Sequence, residues 1–460
     1  MHYSIKSGLF AVTVSAFLYG ISFLYAPFSS AAVIFLIPLL LCIEKKISIG
    51  ILTGALWSII AFFMHAFGIL YVVVNYGTNV AIVTCVLFFF GLYCGLYSMI
   101  WIWLLQKKMN SQPLLQIVYR VLVTVLFFVA IDRFFLFPLG VIQGYPLFFP
   151  LIPLINTLAG VIFIATIQRW LFLIMVVIMQ ELIVYSIVHS QFSRTKISIF
   201  IICFTTIFLF PPHCLFLTQK QLIEKYDTDS IACIVECKTE KNPQDHAQLL
   251  YSLMVKARQL YPQAKTFIMR ESAFPFSLNE HRYAIEMWQK NIMKEGDHIV
   301  FGSLWCENDA CFNCFFCINE CRIMHRYEKT HLIPLFEYIP ESLFFKSKLR
   351  NLFFQKKDLF SQGFSTSVPL KINDNTLILP VICSELFWNK RSKHLHTQCP
   401  LLCLMHDGHF ANSGYDALMI LMARYKACYE QRTIIYCSYF HALLIGTHGE
   451  SCKLNKISAQ

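Results

Sequence analysis

A succession of apolar runs, each long enough to cross about 30 Å of hydrocarbon, fills the first half of this chain and is absent from the second. The runs lie near Leu9–Ala26, Ile49–Tyr71, Asn79–Leu105, Val118–Pro138 and Ile197–Leu217, with a shorter one at Ser30–Ile43. Residues 150–188 are apolar but broken by Pro153 and Arg169, and read as a partly re-entrant segment followed by one span. The reading is about seven spans.

Charge divides the chain at the same place. Residues 1–217 hold ten Lys and Arg and three acids, which leaves 28 basic and 24 acidic residues for 218–460. Charged residues make up 14% of the whole, against about 25% in a soluble protein. The sequence therefore predicts a polytopic helical membrane domain over 1–217 and an ordinary globular domain over 218–460. Of the net charge of +11, +7 comes from the membrane part. Its basic residues (Lys6, then Lys45 and Lys46, then Lys107, Lys108 and Arg120, then Arg194 and Lys196) fall in alternate connections. Basic connections stay in the cytoplasm, so an odd number of spans delivers residue 218 onward to the outer side, the periplasm of a Gram-negative cell. Further spans follow the first, and no A-x-A-like site ends it, so it is not read as a cleaved signal. The membrane is the implied partner. No basic stripe with interleaved aromatics points to nucleic acid.

Beyond residue 218 strands and helices alternate. Ser230–Glu236, Lys265–Met269, His298–Leu304, Phe312–Ile318, Cys321–Tyr327, Leu377–Ile382 and Leu401–Met405 read as strands, while His246–Leu260, Tyr283–Lys294 and Asp416–Glu430 read as helices. Such alternation predicts an α/β layered domain with its chemistry at strand ends. Three stretches put a reactive group directly after an apolar or alternating run: Phe267 to Pro275 with Glu271, Arg326 to Pro340 with Lys329 and Glu337, and Leu379 to Glu385 with Cys383. An ordinary thiol ionises near pH 8.5, so it is a weak nucleophile at neutral pH until a base or cation assists it. Glu271 is the candidate general base and acid, suited to that role if its pocket is dry enough to raise its carboxyl. Lys329 is placed to favour the thiolate and, with the backbone N–H after Cys383, to hold an oxyanion.

These three motifs, in this order, resemble the Glu–Lys–Cys signature of the nitrilase superfamily. The run from Lys329 through Glu337-Tyr338 to Pro340, preceded by about seven spans, is similar to the membrane-bound apolipoprotein N-acyltransferases. The resemblance implies an α-β-β-α sandwich, catalysis by Glu271, Lys329 and Cys383, and supporting roles for Glu337, Ser384 and Glu385. It also implies a phospholipid acyl donor, a lipoprotein-precursor acceptor, and no metal or cofactor. Cys311-x2-Cys314-x2-Cys317-x3-Cys321 has the spacing of a ferredoxin-type iron–sulfur run. Arg322 stands where a proline is expected, the stretch alternates like a hairpin strand, and the resemblance puts here the hairpin leading to Lys329. Disulfide pairing stays open. His406 and Asp407 read as pocket-shaping residues, with metal binding by His406 and His409 the weaker reading. Trp305 and residues 344–360 read either as a lid over a lipid chain or as ordinary packing.

The resemblance weakens after Ile445-Gly446. His441 replaces an Asn-rich turn, and the polar stretch 450–460 stands where the family continues through more sheet and a last span. Two alternatives therefore stay open: a relative of TraB-type conjugal-transfer proteins acting on another amide or ester, and a paralogue without catalysis.

Overall fold

The computed structural model describes residues 5–24, 26–45, 52–75, 80–107, 112–133, 136–137, 140–141, 150, 152–157, 164, 169–189, 228–235, 241–333, 337–338, 360–364, 369–373, 376–387, 399–408 and 415–458. The chain divides into two compact units, residues 1–216 with 410–425, and residues 217–409 with 426–460.

In the first unit, helices run over Ile5–Leu24, Ile37–Glu44, Leu52–Asn75, Val80–Gln106, Pro113–Arg133 and Arg169–His189. Four segments, Ser7–Leu24, Pro27–Glu44, Pro113–Ile131 and Trp170–Val188, are long and apolar enough to cross a membrane. Their exteriors carry exposed Phe10, Phe17, Leu122 and Leu126, as expected of helices whose solvent is lipid. Inside, Tyr19, Trp57, Trp101, Phe127 and Phe128 form one aromatic cluster. A short ladder pairs β1 (Leu136–Phe137) with β2 (Gly140–Val141). The expected span at Ile197–Leu217 lies outside the described residues.

The second unit holds two sheets. The first contains β3 (Ile231–Val235), β4 (Thr266–Met269), β5 (Phe274–Ser277), β6 (His298–Glu307), β7 (Ala310–Ile318), β8 (Ile323–Glu328) and β15 (Asn455–Ser458), in the order β15-β3-β4-β6-β7-β8 with β5 beside β6. The second contains β9 (Leu370–Asn373), β10 (Thr376–Ile382), β11 (Leu401–Leu404), β12 (Ile434–Cys437), β13 (Ala442–Ile445) and β14 (Ser451–Lys453), in the order β14-β13-β12-β11-β10-β9. The period-2 alternation of strand side chains explains why both faces of the first sheet are apolar. Ala232, Phe267, Met269 and Phe316 turn to the helices Pro243–Leu260 and Tyr283–Asn291. Their sequence neighbours Cys233, Ile268, Phe315 and Cys317 turn the other way and pack on Ile378, Leu402, Ile435 and Leu444 of the second sheet. Parallel β11 and β12 require a crossover, and the helix Tyr415–Glu430 supplies it. The fold is an α-β-β-α sandwich.

One correction concerns the stretch after residue 450. The polar stretch after residue 450 is not a tail: β14 extends the second sheet, and β15 pairs parallel with β3 in the first. Its buried side chains, Cys452, Leu454 and Ile457, are few and divided between the two cores, too little to register as a strand pattern. The iron–sulfur spacing is an accident of alternation. Cys314 faces the helices and Cys317 the other sheet, so the run cannot converge on one cluster. Cys311 instead forms a disulfide with Cys306, its registered partner across the β6–β7 hairpin.

Candidate active site

The sequence places Glu271, Lys329 and Cys383 just after β4, β8 and β10, and the fold gathers these three strand ends. Gly302 of β6 lets the Glu271 turn come close: a Cβ there would lie 2.6 Å from the Ser272 nitrogen and 2.7 Å from the Glu271 Cα. Ser272 itself adopts φ +51°, and Cys383 φ +48°. Left-handed backbone costs a non-glycine residue about 1–2 kcal/mol, so both turns are held by their surroundings. At Cys383 the chain leaves β10 and enters a short 3-10 helix, Cys383–Phe387, a sharp bend that lifts the thiol off the sheet.

Lys329 and Glu271 are almost fully buried. The lysine Nζ donates to Glu337 Oε1 at 2.7 Å and lies 3.5 Å from Glu271 Oε1. Glu337 Oε2 accepts the Ile333 N–H at 2.7 Å. Glu271 Oε1 also accepts Asn313 Nδ2 at 2.8 Å, whereas Oε2 has no nitrogen or oxygen partner among the described residues. Cys383 interacts electrostatically with this carboxylate and with the Lys329 ammonium. One ammonium, two carboxyls and a thiol thus share one cluster, with Lys329 and Glu271 buried and Glu337 and Cys383 half-buried.

Electrostatics refines the roles expected from sequence. Burial alone would raise the Glu271 carboxyl, but the Lys329 charge, with the Asn313 and Cys383 donors, outweighs it and holds the group below its ordinary value. Glu271 therefore rests ionised, and the expected raised carboxyl is not found. Burial and the Glu271 charge outweigh Lys329 at Cys383, which is held well above the usual thiol range. Cys383 therefore rests as a thiol beside an ionised carboxylate, not as the expected thiolate. Burial and Glu271 likewise push Glu337 up against the pull of Lys329. Lys329, despite burial, stays firmly protonated because Glu337, Glu271 and Cys383 surround it.

Glu385, read from sequence as a supporting residue, proves to be a clamp. Its Oε1 accepts the Tyr327 hydroxyl (2.9 Å), the Thr330 N–H (2.7 Å) and hydroxyl (2.9 Å), and the His331 N–H (3.2 Å). Its Oε2 accepts the Ile382 N–H at 3.0 Å. One carboxylate thereby ties the Lys329 loop to the bend at Cys383. Ser384 adds a bond from its hydroxyl to the His331 carbonyl at 3.3 Å. His406 is half-buried and is pushed down to about 4 by desolvation and by Arg270, so it is neutral at pH 7. Asp407 Oδ1 accepts the Tyr439 N–H at 2.7 Å, and Arg270 sits 5.1 Å over the Tyr439 ring while donating to the Glu271 carbonyl. These residues wall the base rather than join the cluster. Pro340, His409 and residues 344–359 lie outside the described residues. Trp305 packs against the helix-side core, with Arg326 4.5 Å over its ring.

No family model and no curated relative matches the sequence. Among solved structures, the chain is similar to a carbon–nitrogen hydrolase from Helicobacter pylori G27 at 11% identity, over 49% of this chain and 85% of that one, with a TM-score of 0.36. A branch 10 member of the nitrilase superfamily from Saccharomyces cerevisiae matches at 14% identity, over 49% and 84%, with a TM-score of 0.36. A carbon–nitrogen hydrolase superfamily protein from Xanthomonas campestris matches at 12% identity, over 49% and 87%, with a TM-score of 0.35.

Asn313 was missed by sequence reading. Its signal is a lone amide in the otherwise apolar run Ala310–Ile318, at a position whose alternation turns it inward.

Proposed function

We propose that this chain is a membrane-bound acyltransferase that moves a fatty acyl group from a phospholipid, through a thioester on Cys383, to the N-terminal amine of a lipoprotein precursor. The observation that carries the reading is the convergence of Glu271, Lys329 and Cys383 from three strand ends into one buried cluster. Glu271 takes the thiol proton as the sulfur attacks the ester carbonyl. The Lys329 ammonium and the N–H after Cys383 stabilise the oxyanion. The C–O bond then breaks, and the lysophospholipid leaves with the proton from Glu271. In the second half the acceptor amine attacks the thioester, Glu271 receives its proton, the C–S bond breaks, and the sulfur regains a proton as thiol.

The four apolar segments support an inner-membrane address for a lipid-using enzyme, since anchoring raises the effective concentration of lipid substrates. The Cys306–Cys311 disulfide supports an oxidising, periplasmic setting for the catalytic unit. The test is complementation of a strain depleted of its lipoprotein N-acyltransferase, with Cys383→Ser as control. Growth with the wild-type chain alone supports the reading. Failure despite good membrane expression moves the acceptor to another amine or to water.

A further inference from the structure

We propose that Asn313 is a positioning residue of the reaction, an amide that fixes the Glu271 carboxylate and the Lys329 backbone in one frame. The inference rests on the thiol chemistry proposed above but on neither lipid substrate. Asn313 sits on β7 with Phe315 and Cys317, on the face turned to the second sheet. It is 2% exposed, and a buried amide is costly unless it is bonded. Its side chain makes one bond, Nδ2 to Glu271 Oε1 at 2.8 Å, and Oδ1 has no partner among the described residues. Packing alone would be served by an apolar residue there. The same residue's backbone carbonyl accepts the Lys329 N–H at 2.8 Å. Base and cation are therefore set from a single position, and the bond to Oε1 turns the carboxylate so that Oε2 is left for the Cys383 proton.

The two contacts are separable, because a side-chain substitution leaves the carbonyl bond to Lys329 in place. Asn313→Ala removes the donor. Asn313→Asp keeps the volume and sets a second carboxyl against Oε1. The probe is iodoacetamide, which alkylates Cys383: the sulfur loses its proton to Glu271, a C–S bond forms, and iodide leaves. The readout is the labelling rate against pH on the full chain in detergent, followed by mass spectrometry, with melting temperature measured in parallel. The expected result is a rate lowered about 10- to 100-fold in both variants, the loss typical of a misplaced catalytic group. The acid limb should also move to higher pH, further for Asn313→Asp than for Asn313→Ala, because Glu271 loses a donor that favours its charged form. A purely packing role predicts a lower melting temperature with an unmoved limb, and that outcome overturns the inference, as does a wild-type rate in both variants. Labelling needs no lipid. A wild type that labels with this profile yet forms no acyl adduct sinks the acyltransferase reading and leaves Asn313 standing.

Discussion

Each of the two units buries one cation between two carboxyls, yet the two triads have different neighbours. In the helical unit Arg120 pairs with Glu44 and, at 3.4 Å, with Glu181. The three residues come from the helices Pro113–Arg133, Ile37–Glu44 and Arg169–His189, so the triad ties helices together inside apolar surroundings. In the α/β unit Lys329 lies between Glu337 and Glu271. Here the same charge pattern stands at strand ends, beside a thiol on left-handed backbone; one carboxylate oxygen lacks a partner among the described residues in both triads, Glu181 Oε1 and Glu271 Oε2. A buried ion triad is therefore not a site in itself. What distinguishes the α/β triad is the Cys383 thiol set beside it by a bend on left-handed backbone, the feature on which the proposed chemistry rests.

The comparison can be broken at several points, in falling order of expected effect on Cys383. Lys329→Met should abolish alkylation and destabilise the α/β unit by about 3–5 kcal/mol, because two buried carboxyls lose their cation; labelling rates and thermal melting measure both. Gly302→Ala should slow alkylation about 100-fold, since its Cβ would push the Glu271 turn out of place. Glu385→Gln, which sets an amide NH2 among five donors, should slow it about 10-fold and cost about 1–3 kcal/mol, with Lys329 and Glu271 unaltered. Arg120→Met should lower the melting temperature of the helical unit and leave the alkylation profile of Cys383 where it was. Acidification sharpens the contrast further. Glu271 is held below its ordinary value, so its contribution is present at neutral pH and is lost only as pH falls below the ordinary carboxylate range. The wild-type labelling rate should accordingly drop only below the ordinary carboxylate range, and Glu271→Gln should remove that acid limb.

Much of this was readable before any coordinates. Continuous apolar runs ending at Glu271 and Cys383 gave their strand-end placement, because an apolar strand followed by a charged or reactive residue marks where a sheet stops being buried. The helices Pro243–Leu260 and Tyr283–Asn291 followed from their spacing of apolar residues. Residues carried by few side chains were harder. Pro275 hid β5, β15 rests on Ile457, and Asn313 has no local pattern because its partner Glu271 is 42 residues away. Charge states were beyond reach for a related reason. Whether Glu271 rises or falls depends on the balance of burial against Lys329, and that balance exists only once the strands have met.

The central claim is the thioester. The most direct measurement is intact mass spectrometry of the purified chain after incubation with phospholipid, wild type beside Cys383→Ala. The account predicts a hydroxylamine-labile acyl adduct on the wild type and none on the variant. No adduct on a folded, membrane-inserted wild type, or an equal adduct on both proteins, would contradict it.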